Sequence, residues 1–276
     1  MECDLGKIVV NYETFGEGIP IIMLHGWYLD HRSMMADLEP VFKTYRGWKR
    51  IYLDLPGMGK TAGIDWIASN DQMLSVVENF IDKVIPRQNF IVAGYSYGGY
   101  LARGMVYRKS AMIDGVLLVA PIIIPSKLGL STKFILVKDE SLMRELTLEE
   151  SNFFNLAVVQ SREALDYLRT YVLPAISIAN FKFLKNLRGT FSFKVDVLSE
   201  SFDKPTLILL GRQDSYVGYQ KLWEIIENYP RATLAILDRS GHFVGRPGEQ
   251  EQLFMALISE WLDRGKEYKR ISINEV

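Results

Sequence analysis

Ser96 stands inside Gly94-Tyr95-Ser96-Tyr97-Gly98, directly after the apolar run Phe90-Ile-Val-Ala and before a helix-like stretch, Gly99 to Tyr107. A serine on a sharp strand-to-helix turn has its hydroxyl exposed, and flanking glycines remove Cβ atoms that would strike the neighbouring elements. The helix that starts there also presents N–H groups and the positive end of its dipole, both of which favour an oxyanion. The Tyr97 N–H is the first expected donor. Because a serine hydroxyl is a poor nucleophile until a base takes its proton, this chemistry requires a histidine, and the chain has three. His242, in Ser-Gly-His-Phe after the run Leu234 to Leu237, is expected on the same sheet edge as Ser96 and is the candidate base. His25, before Gly26 at the end of a buried-looking strand, reads as a structural histidine tying down a loop. His31 lies in a polar stretch and reads as a surface residue. The base in turn needs a carboxylate to fix its tautomer and stabilise the imidazolium. Asp214, in Gly211-Arg-Gln-Asp214 directly after Thr206 to Leu210, meets that need. Asp238 ends its own strand and reads as a structural partner, and the position after Gly115 to Val119 offers no acid.

These residues need a scaffold that brings three distant turns together. Short apolar runs ending in Gly or Pro alternate with helix-period segments, the pattern of an α/β fold with a mostly parallel central sheet and helices on both faces. Lys7 to Phe15 and Ile19 to Leu24, separated by Gly-Glu-Gly, read as an opening hairpin. Later strands are expected at Arg50 to Leu53, Phe90 to Ala93, Gly115 to Val119, Thr206 to Leu210 and Leu234 to Leu237. Met73, Val76, Val77, Phe80, Ile81 and Val84 recur at i, i+3, i+4 and i+7 and mark one apolar helix face. Leu253, Leu257 and Trp261 mark a final helix in the same way, and the charged residues from Gly265 onward read as a loose tail. Residues 122–203 break the alternation and read as helical. Thr147 followed by Glu150 has the spacing of a capping box, with an apolar helix, Phe153, Phe154, Leu156, Ala157 and Val158, after it. The expected organisation is therefore a core of residues 1–121 and 204–276, with 122–203 inserted as a cap over the carboxyl edge, where open α/β sheets place their sites.

Composition narrows the function. In 276 residues, 32 Lys and Arg balance 33 Asp and Glu, leaving a formal charge of −1, so no broad field favours nucleic acid or an anionic membrane. The single cysteine, Cys3, can form no internal disulfide, and the N-terminal residues lack the basic and apolar regions of a signal peptide. A soluble, cytoplasmic protein acting on a small molecule is expected, its oligomeric state open. Gly57-Met-Gly-Lys-Thr61 looks like the end of a phosphate-binding loop, but the first glycine of that pattern would fall on Asp54, whose charge would repel phosphate. No His, Cys and carboxylate cluster has metal-ligand spacing, and no cofactor is implied.

The order Ser96, Asp214, His242 resembles that of α/β-hydrolases, and three further blocks extend the resemblance over about residues 7 to 263. His25-Gly26-Trp27 is similar to the family's His-Gly loop, which implies that the Trp27 N–H is the second oxyanion donor. Asp54-Leu-Pro-Gly-Met-Gly resembles the family's turn after the next strand, and Gly94 to Gly98 resembles its nucleophile elbow. The resemblance implies acyl transfer through an acyl-enzyme. Serine at the elbow argues against the haloalkane dehalogenases and epoxide hydrolases of this fold, which use aspartate there. Esterases, lactonases, C–C bond hydrolases, cofactor-free perhydrolases and iminopeptidases remain, as does a ligand receptor with a slow triad. A small carboxyl ester with apolar groups is the first choice. Trp27 and Tyr95 flank the reacting groups, and Phe153 and Phe154 are expected to contribute to the pocket from a cap that also carries Phe134, Phe181 and Phe183. Those cap aromatics would equally well fill a small core of its own.

Overall fold

The computed structural model describes residues 1–123, 137–154, 157–188, 200–246 and 248–274; Phe134 and Leu156 lie outside them. In chain order the elements begin with β1 (Glu2–Asp4), β2 (Val9–Phe15), β3 (Ile19–Leu24), α1 (His31–Phe42), β4 (Trp48–Leu53) and α2 (Asn70–Val84). They continue with β5 (Phe90–Tyr95), α3 (Tyr97–Lys109), β6 (Ile113–Val119), β7 (Val137–Lys138), α4 (Glu140–Met143), α5 (Leu148–Phe154) and β8 (Val159–Gln160). The last are α6 (Arg162–Tyr167), α7 (Leu173–Ile178), α8 (Phe181–Arg188), β9 (Thr206–Gly211), β10 (Ala232–Leu237) and α9 (Glu251–Asn274). Eight strands form one sheet in the order β1-β2-β4-β3-β5-β6-β9-β10. β2 pairs antiparallel with β1 and β4, and every neighbour pair from β4 to β10 is parallel. The interior strands are buried along their length, as expected of a parallel sheet covered on both faces.

The expected opening hairpin does not form. β4 inserts between β2 and β3, so Ile19–Leu24 pairs with Trp48–Leu53 on one side and with Phe90–Tyr95 on the other. A run buried over Pro20 to Leu24 gains more from two parallel partners than from one antiparallel edge. The expected loose tail is likewise helix, since α9 reaches Asn274. Its charges find partners on the sheet domain: Lys269 Nζ lies 2.9 Å from Asp114, and Lys266 lies over the rings of Tyr45 and Trp48. α2 follows its periodicity, burying Met73, Val76, Val77, Phe80 and Ile81, with the Ser69 hydroxyl accepting from the Gln72 N–H.

Between β6 and β9 the described residues are mostly helical, and among them Val137–Lys138 and Val159–Gln160 pair as a short parallel ladder. Thr147 and Glu150 do form the reciprocal capping box, their two N–H···O contacts measuring 2.8 and 3.2 Å. The helix it starts spans Leu148–Phe154, and Val159 enters the ladder instead of extending an apolar helix. Between α6 and α7, residues Leu168–Val172 widen into a π-helical turn. No helix among the described residues is long and apolar enough to cross a membrane, and no three metal-ligating side chains cluster there.

His31 is buried, contrary to the surface position expected from its polar neighbours. Its Nδ1 lies 2.7 Å from Asp54, whose carboxylate also accepts from the N–H groups of His31 and Lys60 and from Asn11. Burial pushes the Asp54 carboxyl up, but the His31 hydrogen bond, the charges of His25 and His31 and the Lys60 N–H together hold it well below the usual range. Burial opposes charge on His31, and its contacts with Asp54 nevertheless raise its pKa. Stability from Asp54 is present above about pH 3.9 and lost as pH falls through its lowered folded value. Stability from His31 is present below about pH 6.5 and lost as pH rises through its raised folded value. The melting-temperature difference between wild type and Asp54→Asn should therefore peak between roughly pH 4 and 6.5 and shrink toward pH 9. A difference that stays flat across that range would show that the pair is not ionised in the folded state.

Candidate active site

β5 ends at Tyr95 and α3 begins at Tyr97, so Ser96 alone makes the turn, with φ 53° and ψ −110°. That left-handed conformation costs a non-glycine residue on the order of 1–3 kcal/mol and persists only where its surroundings fix it. Here the Ser96 N–H donates to Val119 O at 2.9 Å, while Ser96 O accepts from Tyr100 and Ile122, each at 3.1 Å. The turn also presses against the end of β3: a Cβ on Gly98 would strike the Leu24 carbonyl, so only glycine fits there.

His242 and Asp214 arrive from the carboxyl ends of β10 and β9. His242 Nε2 lies 3.0 Å from Ser96 Oγ, and Nδ1 lies 2.8 Å from Asp214 Oδ2. The other oxygen of Asp214 accepts from the N–H groups of Tyr216 and Val217, at 2.8 and 3.0 Å. Burial pushes the Asp214 carboxyl up, but the His242 charge, its hydrogen bond and the two N–H donors hold it below its ordinary value. Close packing of the two turns depends on Gly211, where a Cβ would meet the Gly241 carbonyl. Asp238 is exposed, and its part is played by its backbone, whose carbonyl accepts from Gln213 Nε2 at 3.1 Å.

His25 is structural. Its Nε2 accepts from the Leu55 N–H at 2.9 Å, so its proton sits on Nδ1 and is donated to Gly26 O at 2.8 Å. Burial, above all, lowers its pKa and keeps it neutral. The histidine thereby ties the loop holding Gly26 and Trp27 to the end of β4. Trp27 and Tyr97 pack edge to face, their ring centroids 4.5 Å apart, and the Tyr97 hydroxyl donates to Asn70 Oδ1 at 2.6 Å.

Ser96 and His242 open into a cavity of about 330 Å³. Trp27, Tyr95 and Phe153 line it, as expected, together with Tyr28, Ile122, Val172, Ile176, Phe181, Tyr216 and Phe243. Phe154 does not: it is 2 % exposed and turned into the packing around Tyr167 and Leu168. Two consecutive residues on a helix point about 100° apart, so only one of Phe153 and Phe154 can face the cavity. Phe183 is also spent on packing, its ring lying against Gly57 and Gly63.

A sequence profile described as "Alpha/beta hydrolase family" matches residues 21–253. The chain belongs to that family. It is similar to the pimeloyl-[acyl-carrier protein] methyl ester esterase of Legionella pneumophila (strain Corby), 22% identical over 269 residues, 92% of this chain and 99% of the relative. It is also similar to the AB hydrolase superfamily protein YisY of Bacillus subtilis (strain 168), 27% identical over 279 residues, 92% and 95% of the two chains. Among solved structures, an alpha/beta superfamily hydrolase from Oenococcus oeni PSU-1 superimposes with a TM-score of 0.83 at 28% identity, covering 96% of this chain and 99% of that one.

In this α/β hydrolase one residue beside His242 carries no motif in the sequence. Arg246 is buried, with its Nε 3.7 Å from Asp37 and its guanidinium 3.9 Å from the Tyr167 ring, 4.1 Å from Phe243 and 5.7 Å from Tyr95. Tyr95 in turn donates its hydroxyl to His242 O at 3.1 Å. Arg246 thus joins α1, α6 and the turn carrying His242. Nearby Glu249 is pushed up to about 7, chiefly by burial. The only sequence signal for this cluster is an arginine and a glutamate close behind His242, ahead of the final helix.

Proposed function

We propose that this enzyme is a serine hydrolase of small carboxyl esters with apolar groups, with Ser96 as nucleophile, His242 as general base and Asp214 orienting the base. The observation that carries the reading is the unbroken relay of 3.0 and 2.8 Å contacts from Ser96 Oγ through His242 to a buried Asp214, opening into a mostly apolar cavity. His242 Nε2 takes the hydroxyl proton as Ser96 Oγ attacks the ester carbonyl. The N–H groups of Trp27 and Tyr97 hold the oxyanion. Collapse of that intermediate breaks the bond to the alcohol, which leaves with the proton from His242. Water, deprotonated by the same histidine, then adds to the acyl-enzyme, and Ser96 recovers its proton as the acid departs. The curated relatives named as methyl ester esterases support an ester as the bond cleaved. Residues 122–203 act as the cap, 1–121 and 204–276 as the core, and the enzyme works in the cytoplasm. A panel of esters, lactones, amides and vinylogous diketones tests this. Carboxyl esters should be turned over fastest, and a faster vinylogous diketone would reassign the enzyme to C–C cleavage.

The two phenylalanines separate acyl recognition from stability. Phe153→Ala should raise KM for an octanoyl ester by roughly 1–3 kcal/mol of lost burial and leave an acetyl ester nearly unchanged. Phe154→Ala should instead cost about 3–5 kcal/mol of stability and treat both esters alike. Kinetics on the two esters beside melting curves check both, and a chain-length effect from Phe154 alone would refute the assignment.

A further inference from the structure

α8 reads Phe-Lys-Phe-Leu-Lys-Asn-Leu-Arg, with Phe183, Leu184 and Leu187 buried and no acidic residue. Its three cations, Lys182, Lys185 and Arg188, are spaced three apart, which groups them on one side of the helix, and all three are exposed. None of them makes an ion pair among the described residues. Arg188 ends this strip and is also part of the wall of the cavity that holds Ser96 and His242. Among the described residues, that wall apart from Arg188 and the imidazole of His242 is made of uncharged side chains and glycine.

We infer that Arg188 recognises an anionic group carried by the substrate, so that the substrate class is carboxyl esters bearing a second, negatively charged function. This rests on the reading of Ser96 as the esterase nucleophile and extends it to the rest of the substrate. A guanidinium at the edge of an apolar cavity offers several N–H donors in a planar fork to a carboxylate or phosphate, and because Arg188 is exposed the contact weakens with salt. Lys182 and Lys185, exposed on the same side of α8, add charge of the same sign, which raises the local concentration of anions at low salt.

Three esters test the inference: methyl hexanoate, monomethyl adipate with a carboxylate in the acyl part, and butyryl glycolate with one in the alcohol part. For wild type at low ionic strength, kcat/KM should favour at least one anionic ester over methyl hexanoate by about tenfold, and 0.5 M salt should shrink that preference. Arg188→Gln should reduce the anionic-to-neutral ratio about tenfold, and Arg188→Glu should invert it; whichever ester responds identifies the side on which the anion sits. Calorimetric Kd values in the Ser96→Ala background should show the same ratios without turnover. If the Arg188 substitutions leave the ratios unaltered in both kinetics and binding, the inference is overturned, while wild-type turnover of any ester still upholds the esterase reading. If no ester is turned over yet Arg188-dependent binding of the anionic esters persists, the esterase reading fails and Arg188 remains an anion site.

Discussion

Replacing Ser96 with alanine is expected to lower kcat on a simple ester by roughly 10⁴–10⁶-fold, because the nucleophile and base of such a relay act as a unit and losing one removes nearly all of its contribution. What remains is binding and the proposed oxyanion donors, the backbone N–H groups of Trp27 and Tyr97, which side-chain truncation does not touch. The protein should still fold: the Ser96 hydroxyl contacts His242, whereas the turn itself is held by the Ser96 N–H and carbonyl, which alanine keeps. A fluorophosphonate should label wild type on one serine, Ser96, and leave the alanine variant unlabelled. Peptide mapping after labelling, with turnover and melting temperature measured on the same samples, reads all three. Label on another serine, or turnover retained in a folded variant, would remove Ser96 from the mechanism.

The turns that hold the site were readable because each has a local cause. A serine between glycines after an apolar strand marks the strand-to-helix turn, although Ser96 itself is buried under the residues around it, and parallel strands put all their carboxyl ends on one edge. Ser96, Asp214 and His242 follow β5, β9 and β10, so the distance between them in sequence carries no obstacle to their meeting. What was missed depends on partners far along the chain. Nothing around Ile19–Leu24 announces that β4 will return to separate it from β2, and a Gly-Glu-Gly link is as compatible with a hairpin as with a crossover. His31 looked exposed because its sequence neighbours are polar, yet Asp54, 23 residues on, buries it. Arg246 has the same character: its partners Asp37 and Tyr167 come from elements remote in sequence, and only the folded chain shows a cation placed among three aromatic rings. The division of labour between Phe153 and Phe154 depends on which side of α5 packs toward Tyr167 and Leu168, which α5's own composition does not mark.

Asp214→Asn should lower kcat by about 10⁴-fold while preserving the fold, and the geometry says why the amide cannot substitute. Oδ1 of Asp214 is fixed as an acceptor by the N–H groups of Tyr216 and Val217. An asparagine that keeps those two bonds must put its NH₂ group where Oδ2 now sits, 2.8 Å from His242 Nδ1. That NH₂ can only donate, so Nδ1 must accept and the imidazole proton moves to Nε2. Nε2 then faces Ser96 Oγ as a donor and cannot take its proton. An asparagine flipped the other way would present its oxygen to Nδ1 but set its NH₂ against two backbone donors in a buried site, a cost of about 1–3 kcal/mol for each group left unpaired. Fluorophosphonate labelling of Ser96 should slow in step with kcat, because both need the same proton transfer. Asp238→Asn provides the contrast: its carboxylate is exposed and only its carbonyl is engaged, by Gln213, so kcat should change little. A larger loss from Asp238→Asn than from Asp214→Asn would show that the orienting carboxylate had been misassigned.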